Sequence, residues 1–128
     1  MELRDLVGSW ELQEYRMVEK DGSIVHPWGP RTRGLMLYTA EGYMSVTIDV
    51  EDLRTGKMAF QAASARVEVS GEDLVHRIIV ASTPSIVGTD QRRKVRFDEQ
   101  GLYYLTASPS LYGGPGTWVD LIWRRAGR

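Results

Sequence analysis

The sequence predicts an all-β fold, an eight-stranded antiparallel up-and-down β-barrel with a short N-terminal helical turn at residues 2–7. Short runs rich in Val, Ile, Tyr, Thr and Trp recur along the chain, while helical periodicity is nearly absent. Polar links that carry glycine separate several of these runs, as expected for hairpins. Eight such strands can close into a small barrel that leaves no exposed edge. We expect a single domain over residues 1–128.

The strands and their connections can be assigned along the chain. The links TAEG at 39–42, SGED at 70–73 and DEQG at 98–101 predict tight hairpins. Two longer irregular stretches, 19–32 and 50–63, have the length of lids or binding loops. The predicted strands are residues 9–18, 33–39, 43–49, 64–70, 74–81, 90–97, 102–108 and 117–125.

Composition and charge argue against several classes of protein. The formal net charge of −1 gives no overall field that would recruit nucleic acid or an anionic membrane. The absence of cysteine excludes disulfides and thiol chemistry. The two histidines, His26 and His76, lack metal-ligand spacing, so we expect no metal. The N-terminus lacks the apolar core of a signal peptide and no apolar run reaches membrane-spanning length, so we expect a cytoplasmic protein.

Interior positions follow from the alternation of faces along each strand, because hairpin links carry the assignment from one strand to the next. Across SGED, Val67 is expected opposite His76, and across DEQG, Val95 is expected opposite Tyr104. This assignment of faces places His76, Ile78, Arg93, Tyr104 and Thr106 inside the barrel.

Two further regions are assigned in the same way. In the first strand, an inward Trp10 places Glu14 and Arg16 inside as well. The hairpin around TAEG fits two orientations. We favour the one that leaves Tyr38 and Tyr43 outside, and the reverse stays open. The inward residues of the favoured orientation are Leu35, Leu37, Met44, Val46 and Ile48.

The predicted interior therefore contains several polar groups besides an apolar floor. These are Glu14, Arg16, His76, Arg93 and Tyr104. A dry core could not bury the charged groups unpaired without a cost of several kcal/mol each. Either they pair with one another, or water and a polar ligand reach them.

Four of these residues are candidate catalytic groups. His76 can act as a general acid or base near neutral pH, or it can be a core histidine that is hydrogen-bonded to a neighbour. Glu14 can act as a base in an apolar cavity, or it can form a structural ion pair with Arg16 or Arg93. Arg93 and Tyr104 can hold a carboxylate or enolate oxygen, or the arginine can tie strands together through carboxylates.

Other side chains are predicted to contact a bound molecule or a second subunit. In the segment HPWGP, Trp28 offers a rigid apolar plate over one barrel end, either as a lid or as a structural plug. Trp118 is expected on the outer face of the last strand, where an exposed tryptophan suggests a homodimer surface. The residues predicted to bind the ligand are Arg16, Trp28, Leu37, Met44, Val46, Ile78, Thr106 and Trp123.

The two ends of the chain are predicted to meet where the barrel closes. Trp123 and Arg125 share the inward face of the last strand, and closure sets this strand beside the first. The Arg125 guanidinium then comes within reach of the Trp10 ring, a cation–π contact that contributes about 0.5–2 kcal/mol. Gly8 would let the backbone approach closely at this crowded end.

This pairing of Gly-x-Trp with a returning arginine resembles the lipocalin and wider calycin superfamily, and most closely the bacterial lipocalin-like domain family. The resemblance implies a barrel fold and either binding of small apolar molecules or cofactor-independent isomerisation, dehydration or cyclisation. The family usually has a longer, partly helical insertion where this chain has only residues 50–63, which implies a shortened lid. The segments that carry the resemblance are LVGSWEL (6–12), IVHPWGP (24–30), GLMLYTAEGYMSV (34–46), LVHRI (74–78), VGTDQRR (87–93) and LIWRR (121–125).

Two functional hypotheses follow for a barrel that holds a small, largely apolar ligand with one acidic or carbonyl oxygen. In the first, which we favour, a cofactor-free isomerase, cyclase or dehydratase moves a proton with His76 or Glu14 while Arg93 and Tyr104 steady an oxyanion. In the second, the same groups only anchor the ligand of a binding or carrier protein. A barrel filled by its own side chains is the third alternative.

Overall fold

The computed structural model describes residues 1–30, 32–51, 55–107 and 116–127. The described residues form nine strands and two 3₁₀ turns, Leu3–Asp5 and Pro84–Ile86. The strands are β1 (Gly8–Val18), β2 (Ile24–Val25), β3 (Arg33–Tyr38), β4 (Tyr43–Glu51), β5 (Met58–Ser70), β6 (Asp73–Ala81), β7 (Asp90–Phe97), β8 (Tyr103–Ala107) and β9 (Trp118–Arg125).

The strands confirm the predicted architecture. Each of β3 to β8 pairs antiparallel with the next strand, β1 pairs with β3, and β1 also pairs with β9. These eight strands form a closed up-and-down barrel. The two-residue β2 pairs only with the last residues of β1, beyond the point where β3 leaves it.

One end of the barrel is closed by packed side chains. Trp10 is fully buried there, and its indole N–H donates a hydrogen bond to the main-chain carbonyl of Leu6 at 2.8 Å. The Tyr103 ring meets the Trp10 ring edge-on, with centroids 5.2 Å apart. Arg125 lies over the outer side of Trp10, as the closure predicted. We call this the closed end.

The predicted orientation of Glu14 and Arg16 is wrong, because β1 contains a β-bulge. Leu12 pairs with Trp123, but Glu14 then pairs with Ile122, so one extra residue is accommodated in β1. A bulge of one residue shifts the alternation of faces by one. Beyond it, Tyr15 and Met17 are buried inside the barrel and the two charged side chains lie outside.

Two of the three predicted hairpin links are one residue longer than predicted. In TAEG, the Thr39 N–H bonds the Tyr43 carbonyl, and Gly42 adopts a positive φ of 94°. In DEQG, Gly101 has a φ of 80° and occupies the same position in the turn. A glycine in this conformation at the end of a turn inserts one extra residue before the ladder resumes. In SGED, by contrast, the glycine is second, and Ser70 pairs directly with Asp73 as predicted.

The longer links reverse the faces of β3 and β8. Tyr38 pairs with Met44 and is buried, whereas Leu35 and Leu37, predicted inside, are 46% and 40% exposed. The predicted inward positions in β4, Met44, Val46 and Ile48, do point inward. In β8, Tyr103 points inward, whereas Tyr104 and Thr106, both predicted inside, point outward.

The stretch predicted as irregular at 50–63 is largely strand. β4 continues to Glu51, and β5 begins at Met58, so that Val50 pairs with Ala59. The sequence MAFQAA (58–63) has no β-branched residue, but pairing with β4 decides its conformation. Residues 31, 52–54 and 108–115, which include parts of both predicted loops and the end of one predicted strand, lie outside the described residues.

Candidate functional site

The barrel encloses a cavity of about 290 Å³. It reaches the end of the barrel opposite the closed end, because the exposed residues Ser82 and Thr83, just after β6, contribute to its lining. The volume lies near the lower limit of the range of about 300–1,000 Å³ that is typical of small-molecule sites. The barrel is therefore not filled by its own side chains.

One side of the cavity is polar. Its residues come from β5, β6, β7 and the connection after β6. Among the described lining residues, Arg93 carries the only formal charge at neutral pH, and there is no carboxylate. The polar lining residues are Gln61, His76, Ser82, Thr83, Gln91 and Arg93.

The opposite side is apolar and comes from β1, β3, β4, β8 and β9. A ligand that buries hydrocarbon here gains about 0.8 kcal/mol per CH₂ group. The Trp123 indole N–H is buried and has no hydrogen-bond partner among the described residues. The side chains that form this wall include Tyr15, Met36, Met44, Val46, Ile48, Leu105, Ala107, Val119, Leu121 and Trp123.

His76 lies between the cavity and the closed end and is only 3% exposed. Its Nε2 atom is 3.0 Å from the Tyr38 hydroxyl, which is in turn 2.9 Å from the Tyr103 hydroxyl. Burial, and secondarily the positive charge of Arg93, lower the pKa of His76 to about 3. His76 is therefore neutral near pH 7. Burial raises the pKa of Tyr38 and Tyr103, so both hydroxyls keep their protons.

The structure brings together several of the residues predicted for the site. His76 and Arg93 share the polar side, and Met44, Val46 and Trp123 lie on the apolar side. Their arrangement provides hydrogen-bond donors on one wall and hydrocarbon on the other. Ile78 points inward as predicted but is buried in the core below the cavity lining.

Glu14 and Arg16 lie in a different place, a polar cluster on the outside of the barrel. The Arg16 Nε and Nη2 atoms each donate to Asp120 at 3.2 Å, and Thr106 donates to the same carboxylate at 2.7 Å. Glu14 accepts from His26 at 3.0 Å. This cluster fastens β1 to β8 and β9, and it is separated from the cavity by the barrel wall.

Three other predicted site residues also lie away from the cavity lining. Tyr104 is on the outer face, where the Arg96 guanidinium lies 3.7 Å from the centroid of its ring. Leu37 is exposed on the outer face of β3. Trp28 packs against the edge of the core and lines a separate small recess beside Met58.

Sequence reasoning missed six polar groups in or next to the cavity, those of Tyr15, Tyr38, Gln61, Ser82, Thr83 and Tyr103. Tyr38 and Tyr103 were assigned to the outer face, although the glycine in the fourth position of TAEG and of DEQG was a signal for the extra residue. Gln61, Ser82 and Thr83 lie where the predicted strands had not yet begun or had ended, and the bulge in β1 turns Tyr15 inward. No pattern in the sequence singles them out.

The described residues contain no grouping of three His, Asp or Glu side chains that would suit a metal ion. Their helical structure is confined to short turns, none of which could cross a lipid bilayer.

Comparison with known proteins agrees with this architecture. The family model described as a lipocalin-like domain matches residues 7–72, more than half of the 128-residue chain. The structure is similar to that of an uncharacterized protein from Bacteroides eggerthii DSM 20697, with a TM-score of 0.47 and 13% sequence identity over 94% of this chain and 98% of that one. No curated protein matches the sequence. A barrel of this kind suggests small-molecule binding, and the chain belongs to the lipocalin-like domain family.

Proposed function

We propose that the barrel cavity binds a small, largely apolar molecule that carries one acidic or carbonyl oxygen. The observation that carries this proposal is the division of the cavity: Arg93 and His76 lie on one side, and a mostly apolar wall lies on the other. An oxygen acceptor would lie against the polar side, while the body of the ligand would bury hydrocarbon against the apolar wall.

The absence of a carboxylate among the described lining residues supports an oxygen-bearing ligand over an amine. A positively charged ligand would meet the like charge of Arg93 in the cavity, which is unfavourable. A ligand with a negative or partly negative oxygen opposite Arg93 is favoured, because it would be attracted by the positive charge.

Displacement of a fluorescent dye tests the proposal. We expect 1-anilinonaphthalene-8-sulfonate to gain fluorescence with the protein and to be displaced by octanoate. Ala63→Phe, which fills space in the cavity lining, should abolish the signal, whereas Val80→Phe on the exposed outer face of β6 should keep it. If the dye and octanoate both fail to bind, or if both variants behave alike, the proposal is wrong.

A cofactor-independent isomerase, cyclase or dehydratase is a second candidate. The contact of His76 with Tyr38, beside Arg93, supports it, because these groups could move a proton and hold an oxyanion. Against it, a histidine with a pKa of about 3 is a weak base, and Glu14 and Tyr104 lie outside the cavity. His76→Gln separates the candidates once a substrate is known: loss of turnover with affinity kept supports the enzyme, and parallel loss of both supports a carrier.

Homodimer formation and a cytoplasmic location stay predictions from the sequence. Trp118 lies on the outer face of β9 and is 38% exposed. A residue that contacts a second subunit must be accessible in the single chain in this way. Sedimentation of Trp118→Ser beside the unaltered protein would test the dimer.

A further inference from the structure

Three aromatic side chains form a hydrogen-bonded row that ends at the cavity. The Tyr103 hydroxyl contacts the Tyr38 hydroxyl, and the Tyr38 hydroxyl contacts Nε2 of His76. All three rings are buried. A buried row of this kind must run in one direction, because each hydroxyl has a single hydrogen to donate.

The far end of the row determines that direction. Among the described residues, the Tyr103 hydroxyl has only Tyr38 as a hydrogen-bond partner, and its ring otherwise meets the rings of Trp10 and Phe97. If the row ran from His76 towards Tyr103, the last O–H would be buried without an acceptor, which is unfavourable. If it runs the other way, Tyr103 donates to Tyr38 and Tyr38 donates to His76, so every hydrogen has an acceptor.

The second direction decides where neutral His76 holds its proton. Nε2 accepts from Tyr38, so the proton must be on Nδ1. Since Nε2 is taken and the ring lines the cavity, Nδ1 is the nitrogen left for a bound molecule. Arg93, on the same side of the cavity, brings a positive charge to the site, and its Nη1 atom donates to the main-chain carbonyl of Arg92 at 3.0 Å.

We propose that Tyr38 and Tyr103 are positioning residues that hold His76 as its Nδ1–H tautomer, and that His76 and Arg93 together select a ligand with a carboxylate group. This inference rests on the proposed function and names the ligand class: small monocarboxylic acids with an apolar body. A carboxylate accepts hydrogen bonds and donates none, so it suits the N–H donors that His76 and Arg93 bring to the polar side of the cavity. The low pKa of His76 agrees with a histidine that stays neutral and donates through one nitrogen.

The tautomer can be measured without any ligand or variant. In ¹⁵N-labelled protein at pH 7, the two ring nitrogens of His76 differ in chemical shift according to which one carries the proton. We expect the Nδ1–H form. A predominant Nε2–H form would overturn the proposal whatever the protein binds.

Two matched variants test the role of the row. Tyr38→Phe removes the donor to Nε2, so we expect the Nδ1–H form to lose its predominance. Tyr103→Phe removes the far end but leaves the Tyr38 donor in place, so it should keep the tautomer. A structural role alone would not distinguish the two variants in this way, and an unchanged tautomer in a folded Tyr38→Phe protein would contradict the inference.

Ligand selection is tested with octanoate and octanamide, which have the same chain length and differ in charge. Calorimetry should give about tenfold tighter binding of octanoate, a ratio that corresponds to about 1.4 kcal/mol. Arg93→Gln should remove most of this preference, whereas Arg92→Gln, on the outer face of the same strand, should retain it.

The outcomes keep the two proposals apart. If both compounds bind equally well, the cavity is a binding site but does not select carboxylates, and only this inference fails. If neither compound binds, the proposed function fails and this inference fails with it.

Discussion

The guanidinium carbon of Arg125 lies 4.2 Å from the centroid of the Trp10 ring, so the last strand of the barrel covers the first. The same guanidinium donates to the main-chain carbonyls of Val7 at 2.8 Å and Asp5 at 3.0 Å. One side chain therefore joins β9, β1 and the N-terminal turn. Because Trp10 is fully buried and also holds Leu6, the closed end depends on this contact.

Replacement of Arg125 should destabilise the barrel. Arg125→Ala removes the cation–π contact and two charge-assisted hydrogen bonds, and we expect the free energy of unfolding to fall by about 2 kcal/mol. Arg125→Lys should recover only part of this free energy, because the ammonium group of lysine lacks the planar guanidinium that stacks on Trp10 and donates two hydrogen bonds at once. Arg124→Ala, exposed on the other face of β9, is the control in urea denaturation. Equal losses for Arg124→Ala and Arg125→Ala would show that the stack contributes nothing.

Gly8 is required beside this contact for two reasons. Its φ is 127°, a conformation that other residues rarely adopt, and a Cβ placed on it would lie 2.8 Å from Nη1 of Arg125. We expect Gly8→Ala to lower the free energy of unfolding by about 1–3 kcal/mol. Gly22→Ala is the control, because Gly22 also has a positive φ but has no atom within 4 Å of such a Cβ. The loss should be larger at Gly8, and a larger loss at Gly22 would refute the crowding argument.

The architecture could be predicted from sequence because it depends on repeated, redundant signals. Runs of period two specified the strands, and the link SGED set the register that placed His76 and Ile78 inside. Closure followed from the strand number and from Trp10 and Arg125 at the two ends. None of these inferences depends on the placement of a single residue.

The errors in assigning faces, by contrast, come from shifts of one residue. A turn that ends in a positive-φ glycine adds one residue, and this exchanged Tyr104 for Tyr103 and Leu37 for Tyr38 at interior positions. The position of the glycine within the link could have predicted this extra residue. The bulge after Leu12 could not be predicted in this way, because the neighbouring side chains are ordinary strand residues. Catalytic roles assigned by face were therefore sensitive to features that barely affect the fold.

The outward placement of Glu14 and Tyr104 predicts that neither affects the cavity. We expect Glu14→Gln and Tyr104→Phe to change the affinity for octanoate by less than about twofold, because neither side chain lines the cavity. Arg93→Gln should weaken binding by roughly tenfold through loss of a charge-assisted hydrogen bond. Calorimetric titrations of the three variants provide the comparison. A large effect of Glu14→Gln would mean that the bulge does not turn this residue outward.

The outer cluster should matter for stability instead. Asp120 is buried and accepts from Arg16 and Thr106. Asp120→Ala leaves Arg16 partly buried without this partner, and we expect a loss of about 2–3 kcal/mol in the free energy of unfolding, with octanoate affinity unchanged. Asp49→Ala is the control: it breaks a pair with the largely exposed Arg33 and should cost less than about 1 kcal/mol. Similar losses in both variants would argue against a structural role specific to Asp120.

His76 should make the barrel sensitive to acid. In the unfolded chain its pKa is near 6.5, and in the folded protein burial and the Arg93 charge lower it to about 3. Between these values the unfolded state binds a proton that the folded state does not, so the free energy of unfolding falls as the pH falls. This group alone should contribute a loss of about 2 kcal/mol between pH 7 and pH 5. Urea denaturation across this range should show that the free energy of unfolding depends less steeply on pH in His76→Gln than in the unaltered protein. An unchanged slope in His76→Gln would mean that the buried imidazole accepts a proton as readily as one in water.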